Sequence, residues 1–534
     1  MDLRSIPSSR RPGPAVSTAR ESAPRDRVRP ARRAAVRLGA NLVLLALVLP
    51  LAAAQQARGQ EEKLSGRLLV AAEASPRPSA TPAAGAAAEA TAAPRDYYVR
   101  ARGYRVVPDT DPPRYVRDAA RTGIGLLEDL SWLDLGFEHR MRFEYRDNSF
   151  LRTPQAGQDY PFLLRTRAFL GVKKILDPFR MSIEVQDSQW ENSIYPNTNR
   201  EVNQVEPIQL YGELYFDDAF GSDRPLYVRG GRMAFELVDR RLIANNEFRN
   251  TTNNFQGVRA HWGKMTSDWD LDLLAMQPID RLLYDFDETF EDLWLYGFAG
   301  TWRRWSEVAT LQPYWFGLSQ GSTDAKPRGN FAIQTTGARA YGVVGQTGWD
   351  WDVDLVYQFG DWIDGQKQRA GAAALEVGYT VEDWSWKPRF SAFLGYGTGD
   401  RDPDDDVNNS FNSLYGFNQP WSRNDYFSWD NAIQPKARLE FTPVKDMLVD
   451  LGYGAFWLAS AKAAWQRAQL RDPTGQSGTF LGNEFDARVR YKVFGRVTFD
   501  VSYSRFNPGG FPKKLGKPLA SNFVYFQVTL NALE

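Results

Sequence analysis

From about residue 132 to its end, the sequence alternates apolar and polar residues with a period of two, and no helical pattern of comparable length interrupts it. DLGFEHRMRFEYRD (134–147) sets Leu135, Phe137, His139, Met141, Phe143 and Tyr145 against Asp134, Glu138, Arg140, Arg142, Glu144 and Arg146. WDWDVDLVYQFG (349–360) sets Trp349, Trp351, Val353, Leu355, Tyr357 and Phe359 against Asp350, Asp352, Asp354 and Gln358. RVTFDVSYSRF (496–506) repeats the pattern with Val497, Phe499, Val501 and Tyr503. Successive side chains of a strand point to opposite faces, so strict alternation predicts strands with one apolar and one polar side.

Eighteen strands are expected, at 133–146, 161–173, 179–190, 206–217, 225–234, 255–263, 268–277, 293–304, 307–318, 331–344, 349–361, 372–382, 385–397, 427–442, 446–459, 482–493, 495–506 and 521–531. Connections after even strands are short, such as KILDP (174–178), KMTS (264–267), GQTG (345–348) and PVK (443–445). Those after odd strands are long: 147–160, 191–205, 235–254, 278–292, 319–330, 362–371, 398–426, 460–481 and 507–520. Tight turns alternating with long loops are the signature of an outer-membrane barrel. Lipid leaves no backbone group unpaired, so the sheet must close. The expected fold is an all-β, transmembrane antiparallel β-barrel of 18 strands, with short periplasmic turns and long extracellular loops. Boundaries this soft also admit 16. The glycine-rich, acidic stretch GYGTGDRDPDDDVNNSFNSLYGFNQPW (395–421) then makes up most of the longest extracellular loop.

The absence of cysteine excludes disulfides and thiolate chemistry. Seventeen Trp and 23 Tyr suit a protein with two membrane interfaces to line. The zero formal charge hides a segregation: residues 1–54 carry ten Arg against Asp2, Glu21 and Asp26, a net of +7, leaving 55 basic and 62 acidic groups, a net of −7. That balance argues against a nucleic-acid partner. NLVLLALVLPLAAA (41–54), behind its arginine-rich lead, is expected to be a signal-peptide core. The basic region is long, which places the expected start codon downstream of Met1. The chain is therefore divided into a signal peptide (1–54), a disordered Ala/Pro-rich linker (55–95), a periplasmic N-terminal segment (96–131) and the barrel (132–534). The implied compartment is the outer membrane of a diderm bacterium, and the barrel is expected to be a monomer in outer-membrane lipid.

The polar phase assigns Arg140, Arg142, Arg165, Arg167, Arg259, Arg339, Arg389, Arg438, Arg488 and Arg490 to the lumen, with Lys436. The same face carries Glu138, Glu144, Glu184, Glu213, Asp352, Asp354, Asp450, Glu484, Asp486 and Asp500. A charged interior of both signs implies water, and barrels of this size leave an aqueous lumen. These charges form ladders that stiffen the wall, or a guanidinium path for an anion, since Arg holds carboxylates in a bidentate fork. The doublets 140/142, 165/167 and 488/490 space successive guanidiniums about 7 Å apart.

Asp400, Asp402 and Asp404 have the i, i+2, i+4 spacing of a calcium loop, but an EF-hand would need Gly at 405 and Glu at 411, where Asp405 and Phe411 stand. A looser calcium site there is the one metal expectation; the alternative is a solvated acidic loop. His139 falls on the lipid column and His261 on the lumen column without an evident Ser or Asp partner, so no enzyme is expected.

GGRMAFELVDRRLIANNEFRNTTNNFQGVRAH (230–261), WDWDVDLVYQFGDW (349–362), PRFSAFLGYGTGDRDPDDD with FNSLYG (388–416) and GNEFDARVRYKV (482–493) together resemble the alginate export family of outer-membrane barrels. The resemblance covers roughly 130–534. It implies an 18-stranded barrel that passes a linear polyuronate outward through an arginine-rich constriction, and it carries family basic positions onto Arg232, Arg241 and Arg259. Thr398 stands where the family favours Ser, Ser413 where it favours Pro, and the chain ends VTLNALE rather than on an aromatic residue. The expected function is an outer-membrane channel exporting an anionic, alginate-like polysaccharide in concert with periplasmic export machinery. The alternative is a general or anion-preferring porin, which a long loop folded inward would favour.

Overall fold

The alternation of the sequence becomes eighteen long strands in a computed structural model, which describes residues 111–152, 157–290, 292–321 and 330–533. The expected signal peptide, the linker and the segment up to residue 110 lie outside the described residues. The strands are β1 (Leu133–Asp147), β2 (Phe162–Val172), β3 (Phe179–Glu191), β4 (Asn203–Phe216), β5 (Leu226–Met233), β6 (Phe255–Trp262), β7 (Trp269–Asp280), β8 (Leu293–Trp302) and β9 (Thr310–Gln320). They continue as β10 (Phe331–Val343), β11 (Trp349–Asp361), β12 (Lys367–Thr380), β13 (Arg389–Gly397), β14 (Ala432–Phe441), β15 (Met447–Trp457), β16 (Phe480–Val493), β17 (Val497–Pro508) and β18 (Ser521–Asn531).

Each strand pairs antiparallel with the next, and β18 returns to pair with β1 from Asn522↔Asp147 to Asn531↔Glu138. The sheet is closed, so no edge is left for another chain to extend. No helix of the described residues is long and apolar enough to cross a membrane; the crossings are made by strands. The two columns face as the alternation predicts. Met141 and Phe143 are exposed while Arg140, Arg142 and Glu144 are buried inside. Trp349, Leu355, Tyr357 and Phe359 are exposed opposite buried Asp350, Asp352, Asp354 and Gln358.

Two expected boundaries are corrected. The connection after β11 is 362–366 rather than 362–371, because β12 begins at Lys367. Its first residues, KQRAG, carry no apolar alternation to announce a strand. β14 begins at Ala432 rather than 427. Phe427 and Trp429 are buried in the preceding loop, although FSWDN alternates like a strand.

The larger difference lies in the long loops. Residues 398–431 split into an exposed acidic tip around Asp402–Asp406 and an aromatic half that is buried: Phe411, Trp421, Tyr426, Phe427 and Trp429 are all 2% exposed or less. The 234–254 loop is buried likewise at Leu242, Ile243 and Ala244. The two loops bond to each other: Tyr415 N donates to Leu242 O and Phe417 N to Arg240 O, both at 2.8 Å. At this junction a Cβ on Gly416 would stand 2.1 Å from the Arg241 carbonyl oxygen, so only glycine permits the approach. Together the loops form one apolar cluster with inner-face Leu295, Phe316, Ile333, Val356, Phe456 and Phe506. The lumen expected from the alternation to be polar thus also holds apolar packing, and the 398–426 loop, expected to be external, turns inward over its aromatic half.

At the short-turn end, Val116–Asp118 pairs with Asp134–Gly136 of β1, beside the point where β18 has run out. Just before this short strand, Tyr115 is buried and its hydroxyl donates to Glu184 of β3 at 2.5 Å.

Candidate functional site

The inward loops are held by the side chains that the alternation placed in the lumen. A backbone segment removed from water needs its carbonyls and amides satisfied. Arg140 of β1 donates to the carbonyls of Glu247 (2.8 Å) and Arg249 (2.7 Å), and Arg142 to that of Phe248 (2.6 Å). The Arg142 guanidinium also lies 4.5 Å from the Phe248 ring centroid. On β2, Arg165 Nη2 and Arg167 Nη1 take the two carboxylate oxygens of Glu247 at 2.9 and 2.6 Å. Two of the three arginine doublets therefore converge on the chain's own carboxylate and carbonyls.

Arg241, carried on the loop itself, donates to Asp352 and Asp354 of β11 at 3.2 Å, and Arg339 of β10 donates to the same Asp352. Asn250 donates to the carbonyls of Leu164 and Gln189 at 2.9 Å. The 398–431 loop is anchored to β11 as well and to β16. Gln358 exchanges two bonds with the Asn412 backbone, at 2.7 and 2.8 Å. Glu484 accepts from Ser422, the Arg423 amide and Asn424 at 2.7–2.8 Å.

Most of the other expected arginines sit in wall ion pairs. Arg232 meets Glu206, Arg259 meets Asp272 at 2.7 Å, and Arg488 meets Asp500. Arg389 bridges Asp350, Glu376 and Glu440 at 2.5–3.1 Å. Arg438 is buried on the inner face of β14, and Arg490 stands in register with Asp500. His139 Nδ1 lies 3.0 Å from Thr166 Oγ1. His261 has the partner that sequence did not disclose: its Nδ1 lies 3.1 Å from Asp272, and its ring stacks on Tyr227.

The three aspartates of the acidic tip do not converge. Asp400 accepts from the Asn409 amide, Asp402 faces Lys462 at 3.7 Å, and no group of three or more metal-binding side chains occurs among the described residues.

Four arginines that the alternation could not single out gather at the long-loop end: Arg200, Arg249, Arg281 and Arg467. Arg249, Arg281 and Arg467 line a cavity of about 310 Å³ together with Asp280, Ser413 and Tyr415. Arg200 and Arg249 line a smaller one of about 60 Å³ with Arg152, Glu201 and Asp425. Arg467 pairs with Asp425, but no carboxylate of the described residues is hydrogen-bonded or ion-paired to Arg200 or Arg249. Burial, then the cations of Arg200, Arg467 and Arg281, push Arg249 down to about 9 against the pull of Asp425. Burial and Arg467 lower Arg200 as well. Burial works against the charge on Asp425, yet Arg467, Arg249 and Arg200 hold its carboxyl below the usual range. Mutual repulsion among these cations is relieved by binding an anion.

The family model described as alginate export matches residues 131–525. The chain belongs to the alginate export family. No curated protein matches the sequence. Among solved structures, the chain is similar to OccAB1 of Acinetobacter baumannii, with a TM-score of 0.53 at 10% identity, covering 74% of this chain and 96% of that one. It is similar also to OccAB3 of the same organism, with a TM-score of 0.50 at 11% identity, covering 74% and 98%. At such identities the likeness is one of fold, that of a closed antiparallel β-barrel. The family-like segment 230–261 is the stretch that folds inward here, so two of the family basic positions, Arg232 and Arg259, flank the loop and Arg241 lies within it.

Proposed function

We propose that this outer-membrane channel exports an anionic polysaccharide of the polyuronate type, alginate-like in carrying one carboxylate per sugar. The observation that carries the proposal is the group of four loop arginines at the extracellular end, where Arg249, Arg281 and Arg467 line the larger cavity against Asp280. Guanidinium forks match carboxylates bidentately, and several weakly compensated forks in succession let a polyanion be held without being trapped. Membership of the alginate export family supports the same cargo. Export of a polymer further implies periplasmic machinery that delivers it.

A second reading, a general or anion-preferring porin, is favoured by one observation. The 234–254 and 398–431 loops fold into the barrel and bond to each other there. A constriction so built suits small solutes.

Single-channel recording of the protein in planar bilayers separates the two. An exporter gives anion-selective current that oligomannuronate blocks, and Arg249→Gln with Arg281→Gln weakens the block at least about tenfold, the scale of one lost charge-assisted bond. Current indifferent to the oligomer is the porin result.

A further inference from the structure

At the periplasmic end the barrel holds a second and larger cavity, about 680 Å³, between the inward 234–254 loop and the segment that precedes the first strand. Its volume is within the range of small-ligand sites, about 300–1,000 Å³. Arg229 of β5 stands in its wall with its guanidinium 4.5 Å from the Tyr211 ring and 4.2 Å from the Tyr227 ring. Arg229 Nε donates to Glu213 at 2.5 Å, and Arg259 is its register neighbour on β6. Arg229 Nη1 donates to the carboxylate of Asp111 at 2.5 Å. Tyr227 OH lies 3.4 Å from the same Asp111 oxygen. Glu184, Gln209 and His261 complete a rim of hydrogen-bonding groups.

A carboxylate on a guanidinium, with aromatic rings beside it and acceptors and donors around it, is the arrangement a uronic acid residue requires. Its carboxylate takes the fork, a ring face lies on tyrosine, and its hydroxyls reach the rim. Here the carboxylate is supplied by the chain itself. Asp111 stands in the stretch Asp111–Tyr115 just ahead of Val116–Asp118, whose pairing with β1 fixes the root of that arm. The hydroxyl of Tyr115 on Glu184 holds that arm in the cavity. Withdrawing it breaks these contacts and leaves every barrel strand pair intact.

We infer that this vestibule is a uronate-binding subsite at the periplasmic entrance, and that Asp111 is its tethered occupant, displaced by the carboxylate of an arriving chain. The ligand class rests on the export reading above; the competition between Asp111 and a free carboxylate does not. A short tether supplies its ligand at an effective concentration in the millimolar range, so removing it raises the apparent affinity of a weak free ligand by about tenfold.

The test is isothermal titration of the full-length protein in detergent with sodium mannuronate, with mannose as the uncharged control. Asp111→Asn is expected to tighten mannuronate binding about tenfold and leave mannose unaffected. Tyr115→Phe, which loosens the arm by removing its bond to Glu184 while leaving Arg229 and Asp111 in place, is expected to tighten it about threefold. Arg229→Gln is expected to abolish binding, in protein shown to be a folded barrel by its heat-dependent gel mobility. Unchanged mannuronate affinity in both Asp111→Asn and Tyr115→Phe overturns the inference. If Asp111→Asn tightens mannuronate while the polymer fails to block current, the subsite stands and the export reading falls. If the polymer blocks current while neither arm variant alters mannuronate binding, export stands and the subsite falls.

Discussion

Arg167 Nη1 donates to Glu247 Oε1 at 2.6 Å, joining a strand of the wall to a loop that reaches it from eighty residues along the chain. Arg165 takes the other oxygen of the same carboxylate at 2.9 Å. Glu247 therefore neutralises guanidiniums that would otherwise face the lumen. Replacing it with glutamine keeps the shape, removes that charge and weakens the seat of the loop by about 1–3 kcal/mol. Glu247→Gln is expected to shift the reversal potential in a salt gradient towards greater anion selectivity and to speed proteolysis within 234–254. An unchanged reversal potential would show that these arginines do not face the ion path.

The same carboxylate sets a pH dependence. Burial raises its proton affinity, but Arg165, Arg167 and Arg140 prevail and hold Glu247 well below its ordinary value. A depressed carboxyl stabilises the folded loop above its unfolded pKa, about 4.3, and that contribution is lost as pH falls through the folded value. Loop protection against protease should thus be flat from pH 8 to about 5 and decline below about 4. The Glu247→Gln variant should lack this decline. A decline of equal size in the variant would assign it to other groups.

Gly416 is the point at which the two inward loops touch, with the Arg241 carbonyl where a side chain would begin. Gly416→Val must part them while every barrel hydrogen bond remains. The expected result is a folded barrel with higher single-channel conductance and larger current fluctuations. Conductance equal to that of the unmodified channel would mean that ions do not pass by the loop junction.

Phe427 stacks on Phe456, at 3.8 Å, and on Trp465, at 5.1 Å, and is 1% exposed. Truncating such a side chain costs about 3–5 kcal/mol when the surroundings cannot collapse. Phe427→Ala is expected to loosen the 398–431 loop, seen as faster hydrogen exchange across Asn418–Asn431 with strand exchange unchanged. Exchange that rises equally in the strands would indicate a barrel held up by its contents.

The parts of this protein legible in sequence are those in which local chemistry repeats. Period-two alternation located all eighteen strands within a few residues, and the rhythm of short and long connections gave their direction, because lipid outside and pairing to neighbours constrain every strand alike. The same phase sent Arg140, Arg165, Arg339 and Arg389 inward, where they are. What those charges meet was decided in three dimensions. Arg140 finds carbonyls more than a hundred residues away, Arg229 finds Asp111 across a comparable distance, and no spacing in the sequence encodes either. Arg200, Arg249, Arg281 and Arg467 lie outside the alternating strands and carry no phase; only the closure of the barrel brings them together. One signal of the inward loops was present: β8 and β9, LWLYGFAGTW and TLQPYWFGLSQ, are apolar on both columns, as a wall must be when its inner face has an apolar loop to cover. Alternation reports which face a residue takes, a property of its two neighbours. The contents of a closed barrel depend on contacts between segments that the chain brings together only after it has closed.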